Sequence, residues 1–66
     1  MMVDFQVGLV ISKKELENYN GVYEYWVRMP DRKIETFNIK TDKIEVGHKV
    51  KVQQQEDNTY KVLGIL

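Results

Sequence analysis

A chain of 66 residues is one domain near the lower size at which a core alone suffices, burying only about 60% of the surface its unfolded form exposes. The absence of cysteine excludes disulfides and thiolate metal sites, and ten basic against ten acidic side chains give a formal net charge of zero, without the excess that points to nucleic acid or membrane. Asp4 and Gln6 interrupt any leader-like apolar core, and no run approaches the roughly 20 apolar residues of a spanning helix, which predicts a soluble, cytoplasmic chain with no membrane partner.

In chain order, Val3, Phe5, Val7, Leu9 and Ile11 alternate with Met2, Asp4, Gln6, Gly8 and Val10. Five apolar residues at period two predict a first strand with that face inward. Gly8 in mid-strand marks a bend, a bulge or a close backbone approach, and a first strand that must curl in a small barrel favours the bend. The next stretch, residues 12–21, carries two signals. Ser12 with Glu15 fits a capping box, and Ile11 with Leu16 fits its hydrophobic staple. Asn20-Gly21, flanked by Tyr19 and Val22, is a hairpin signal. Because a strand follows at once, an exposed hairpin extension is preferred to a short helix.

The second strand runs from Val22 to Met29. Burying Val22, Glu24, Trp26 and Arg28 would put two charges in the core, at several kcal/mol each. The other face, Tyr23, Tyr25, Val27 and Met29, therefore points inward, and Trp26 points out. Met29-Pro30-Asp31-Arg32 is expected to form a type I turn, with Pro30 at the position whose φ it presets. In the third strand, Lys33 to Lys40, Ile34 reads as inward, yet Phe37 and Ile39 fall on the opposite parity. A bulge near Glu35-Thr36 would reconcile them.

Ile44 to Val52, IEVGHKVKV, is the stretch around which the other strands are expected to wrap. Val46, Val50 and Val52 read as inward, Lys49 and Lys51 as outward, and Gly47 as the tight turn. Gln53-Gln54-Gln55 then leads into a Glu56-Asp57-Asn58 turn with Asn58 left-handed. The last strand, Thr59 to Leu66, sets Tyr60 and Val62 against Lys61, Leu63 and Ile65. Five strands joined by short turns, with no repeat or linker, predict a single all-β domain over residues 1–66. It is a five-stranded antiparallel small barrel, OB-like, with an SH3-like barrel as the alternative, since closure removes exposed edges.

The closing third of the chain resembles the last two strands of small OB-fold domains of the cold-shock and S1 type. The shared features are the Gly47 turn, Val50-Lys51-Val52, the acidic turn Glu56-Asp57-Asn58 and a final strand. The resemblance implies a barrel that binds single strands through aromatic and basic motifs on its second and third strands. Neither the cold-shock Lys-Gly-Phe-Gly-Phe motif nor its Val-Phe-Val-His-Phe companion occurs here, so no binding residue is carried over.

Catalysis has little to draw on. Ser12 is the single serine and His48 the single histidine, far apart and both in expected turns, whereas a nucleophile, its base and an orienting group must lie in hydrogen-bond reach. The four glycines, at positions 8, 21, 47 and 64, stand singly and build no phosphate loop. The expectation is a non-enzymatic binding module with no cofactor and no metal. Its candidate ligand-binding residues are Trp26, outward on strand two, with Arg28 and Lys40 for phosphates. Single-stranded nucleic acid is the leading ligand. The alternative is a protein–protein interaction or inhibitory accessory module, favoured by the balanced charge. Val10, Leu63 and Ile65, opposite other apolar residues on their strands, would form a homodimer patch if nothing else covers them.

Overall fold

A computed structural model describes residues 5–66, so Met2, Val3 and Asp4 at the expected start of the first strand lie outside the described residues. Five strands form: β1 (Phe5–Glu15), β2 (Tyr23–Arg28), β3 (Ile34–Ile39), β4 (Lys49–Gln54) and β5 (Tyr60–Ile65). They pair antiparallel in the order β3-β2-β1-β4-β5. The protein is therefore all-β, a curled half-barrel of the kind found in small OB-like or SH3-like barrels. Its seam lies between β3 and β5, which share no backbone ladder.

The curl comes from β1. Its first part, Phe5 to Leu9, pairs with β4, and its second, Leu9 to Glu15, pairs with β2. Leu9 stands opposite both Lys49 and Arg28, at the point where the strand passes from one partner to the other. Just beyond, Ile11 is an extra residue between the Val10–Val27 and Ser12–Trp26 pairs, a bulge that sharpens twist where the sheet must turn. The crossing loop before β4 fastens there. The Val10 amide donates to the His48 carbonyl at 3.0 Å, and the Gly47 amide donates to the Val10 carbonyl at 2.8 Å. Gly47 has φ of 97°, which a side chain would resist, so the expected glycine turn is present.

Val10, Tyr25, Val27, Met29, Ile44, Val50 and Val52 are the buried core, ringed by partly buried Tyr23, Phe37, Ile39, Tyr60 and Val62. The tyrosine face of β2 is thus inward and Trp26 is out, and Val50 and Val52 face in while Lys49 is exposed and Lys51 only partly covered. Val46, read as a third inward valine, is 58% exposed, because it sits in the Glu45–His48 turn rather than in a strand.

Three other expectations are corrected. In β1 the inward face is Gln6, Gly8 and Val10, while Phe5, Val7 and Leu9 are exposed. A Cβ at Gly8 would stand 2.3 Å from Val27 Cγ1, so the interior at this crossing is already filled from β2. Gly8 marks a close approach. In β3 no bulge occurs: the ladder with β2 runs unbroken from Ile39–Tyr23 to Ile34–Arg28, and Ile34 points out at 49% exposure. Besides the one at Ile11, a bulge lies in β5, where Leu63 is the extra residue between the Val62–Val52 and Gly64–Lys51 pairs. It returns Ile65 to the inward parity, opposite Val50. With Val10 1% exposed in the core, the patch of Val10, Leu63 and Ile65 does not form.

Residues 12–21 form the hairpin extension without a helix. β1 continues to Glu15, and the Leu16 amide donates to the Val22 carbonyl across the base of the loop. Gly21 alone takes positive φ there, at 77°, in the third position of a Tyr19–Val22 turn of type II character. The β2–β3 and β4–β5 loops share one design. Each has a turn bond (Arg32 amide to Met29 carbonyl, Asn58 amide to Gln55 carbonyl) followed by a left-handed residue, Arg32 at 71° or Asn58 at 69°. This is the three-residue hairpin loop built on a type I turn.

Candidate functional site

Sheet register sorts the side chains onto two faces, and the outer one carries the candidate site. Across it, Ser12, Trp26 and Thr36 stand in one row, and Lys49, Leu9, Arg28 and Ile34 in the next. Trp26 and Arg28, two residues apart on β2, share this face about 6.6 Å apart along the strand. The indole is 43% exposed, and its Nε1–H donates to the Glu24 carboxylate at 2.9 Å, which holds the ring by its polar edge. Lys40 follows β3, on the side of Trp26 away from Arg28 and about 13 Å along the strand from the indole. Its aliphatic stem runs beside Gly21 at the hairpin loop. The structure therefore brings Trp26 and Arg28 together and sets Lys40 apart.

The neutral chain is not neutral face by face. Strand residues directed outward include Lys14, Arg28, Lys49, Lys51 and Lys61, and only one acid, Glu24. Five cations meet one carboxylate, because most described acids sit in the connecting loops: Glu17, Asp31, Asp42, Glu45, Glu56 and Asp57. Apolar groups are interleaved with these cations. Phe5 and Val7 are each 47% exposed, and the Lys51 ammonium lies 4.0 Å from the centroid of the Phe5 ring. Alternation had put Phe5 inside; the sign that it is outside is Gly8, since the close approach that calls for glycine in a small barrel is on the inner face.

The inner face closes at one end in a polar clasp. Lys13, inward after the Ile11 bulge, donates to the Asp42 carbonyl at 2.7 Å and to Glu45 Oε2 at 2.9 Å, and lies over the Tyr23 ring. The hydrogen bond to Glu45 raises the Lys13 pKa above its ordinary value, against the smaller effect of burial. The Tyr25 hydroxyl donates to the Thr41 carbonyl, and burial pushes that phenol up, with the Lys13 charge opposing. His48 belongs to the adjoining turn, where its Nδ1 accepts from the Glu45 amide at 3.0 Å. Ser12 faces out opposite Trp26, on the other side of the sheet from this clasp. Among the described residues no three His, Cys, Asp or Glu side chains gather as metal ligands.

A cleft of about 320 Å³ opens at the β3/β5 seam. Its walls are Ile39, Ile44, Val62, Leu63 and Ile65, with Thr41 and Lys43 at the rim. Thr41 is committed within the loop, its Oγ1 accepting from the Lys43 amide. No family model matches the chain, and neither a curated protein nor a solved structure matches it.

Proposed function

We propose that this protein is a non-enzymatic binding module for single-stranded nucleic acid, taken on the outer face of β2 and β3. Trp26 stacks on a base, Arg28 pairs with a neighbouring phosphate, and Lys40 reaches a phosphate further along the strand. The observation that carries this reading is an indole 43% exposed beside Arg28, on a sheet surface with five cations and one carboxylate. Stacking is tolerant of sequence because every base has a π-face, and cations along the same surface track the backbone. A protein–protein interaction module is the second reading. The exposed Leu9 and Ile34, in the row next to Trp26, favour it, because aliphatic groups suit a protein partner better than a base.

Trp26 is the only tryptophan, so its emission reports the site directly. Single-stranded oligonucleotide is expected to quench it, with affinity falling as salt rises, since released counterions drive phosphate binding. Trp26→Ala is expected to weaken binding by about 1–3 kcal/mol. An oligonucleotide that neither quenches the emission nor shifts mobility at low salt overturns the nucleic-acid reading and leaves the protein-partner one.

A further inference from the structure

We infer that the nucleic-acid surface does not end at β2 and β3 but runs along β1 onto β4 and β5, with Phe5 as a second base-stacking platform and Lys49, Lys51 and Lys61 as its phosphate contacts. This rests on the function proposed above and enlarges the site. Three observations carry it. Phe5 is 47% exposed on the same outer face as Trp26, with Phe5 in the β4-paired part of β1 and Trp26 on β2 opposite Ser12 in the β2-paired part. The two are six strand positions apart once the Ile11 bulge is discounted, roughly 20 Å at about 3.3 Å per residue. Lys51 stands over the Phe5 ring at 4.0 Å, so a base stacking on that face displaces the ammonium, which stays within reach of the base's own phosphate.

The third observation is the direction of the charge. Beyond Leu9 every charged outward strand residue is basic: Lys49 opposite Leu9, Lys51 opposite Val7, and Lys61 opposite Gln53 in the Phe5 row. The one outward acid, Glu24, lies at the other end, paired with Lys14 and bonded to Trp26. A polyanion fits this half of the surface better than the half that holds the indole. Single-strand sites on OB-type domains cover about 4–16 nucleotides, a range that a path of about 20 Å between platforms enters and a lone indole does not.

The test moves the reporter. In the double variant Trp26→Phe with Phe5→Trp the single indole sits at position 5, and an end-labelled oligonucleotide of about eight nucleotides reports binding independently through its anisotropy. Binding accompanied by quenching of the new indole is the expected result. In the wild-type background, Phe5→Ala is expected to weaken binding about 5- to 150-fold. Lys51→Gln with Lys61→Gln is expected to lower the slope of log affinity against log salt by about 1.4, two phosphate contacts at about 0.7 each. Thermal melts accompany each variant, and the lysine pair, being at the surface, keeps the test decisive if Phe5→Ala fails to fold. Oligonucleotide that binds wild type and loses affinity with Trp26→Ala, but leaves the indole at position 5 unquenched and the salt slope unchanged, overturns the extension while the smaller site stands. No binding to wild type at low salt removes both.

Discussion

An added methyl group at position 8 would meet Val27 Cγ1 at 2.3 Å, with the Arg28 carbonyl oxygen and the Met29 sulfur each at 3.4 Å. That crowding decides which face of β1 is inside. Side chains from β2 reach across the curl and fill the volume under the strand, so only hydrogen fits at Gly8, and the bulky Phe5, Val7 and Leu9 are left on the outer surface. Gly8→Ala is therefore expected to destabilise the fold by about 1–3 kcal/mol, the cost of forcing extra volume into a packed core. Val7→Ala, on the neighbouring outward position, should cost under about 1 kcal/mol. Urea unfolding of the two variants beside wild type measures both, and a Val7→Ala loss exceeding that of Gly8→Ala would mean the faces are the other way round. The same assignment makes Phe5 available to a ligand.

The strands are joined by elements whose chemistry is local. In both three-residue hairpin loops an aspartate, Asp31 or Asp57, accepts from a backbone amide two residues on, from Lys33 at 3.0 Å and from Thr59 at 3.1 Å. Each loop then needs a left-handed residue. Asn58 suits that position, because its short amide tolerates the conformation, whereas Arg32 does not. A non-glycine residue held left-handed costs roughly 1–2 kcal/mol, against about 0.5–1 kcal/mol for the extra chain entropy of glycine. Arg32→Gly is expected to stabilise the protein by roughly 0.5 kcal/mol, and Asn58→Gly by less. Midpoints of urea unfolding at unchanged slope give the comparison, and a destabilised Arg32→Gly would show that the arginine side chain contributes something the loop geometry does not account for.

For the molecule as a whole, the clasp at the barrel end links stability to pH. Lys13 and Tyr25 both hold their protons more tightly when folded, Lys13 through its bond to Glu45 and Tyr25 through burial. Groups with raised folded-state pKa values contribute fully below their ordinary values, 10.5 and 10.0, and lose that contribution as pH climbs through the raised ones. Stability is expected to be level through neutral pH and to fall above about pH 10. Asp57 works in the other direction. The Thr59 hydroxyl and amide hold its pKa below 3.8, so its contribution is present above that value and is lost as acid takes the pH down through the lowered one. Tyr25→Phe is expected to flatten the alkaline limb in part, read by urea unfolding across that range. An alkaline limb as steep in Tyr25→Phe as in wild type would remove the phenol from the account.

Much followed from the sequence alone, wherever a signal is carried by neighbouring residues. The five strands, the glycine turn at 47, the left-handed Asn58 and the hairpin at 12–21 depend on φ preferences and period-two alternation within a few positions. Charge decided the parity of β2, since the opposite choice would have buried Glu24 and Arg28, and so the outward Trp26 was readable as well. The parity of β1 was not: alternation ranked the Phe5, Val7 and Leu9 face as inner, and it was overruled because Val27 and Met29 already fill the space beside Gly8. Nor were the positions of the bulges, which the sequence suggested in β3 and the structure has in β1 and β5, because a bulge is a property of two strands in register. Which cations share a surface was equally hidden. A net charge of zero is a sum over the chain, and only pairing across strands puts five bases and one acid on one face while most of the described carboxylates fall in the loops, because register between segments distant in sequence is set by how their side chains fill a common interior.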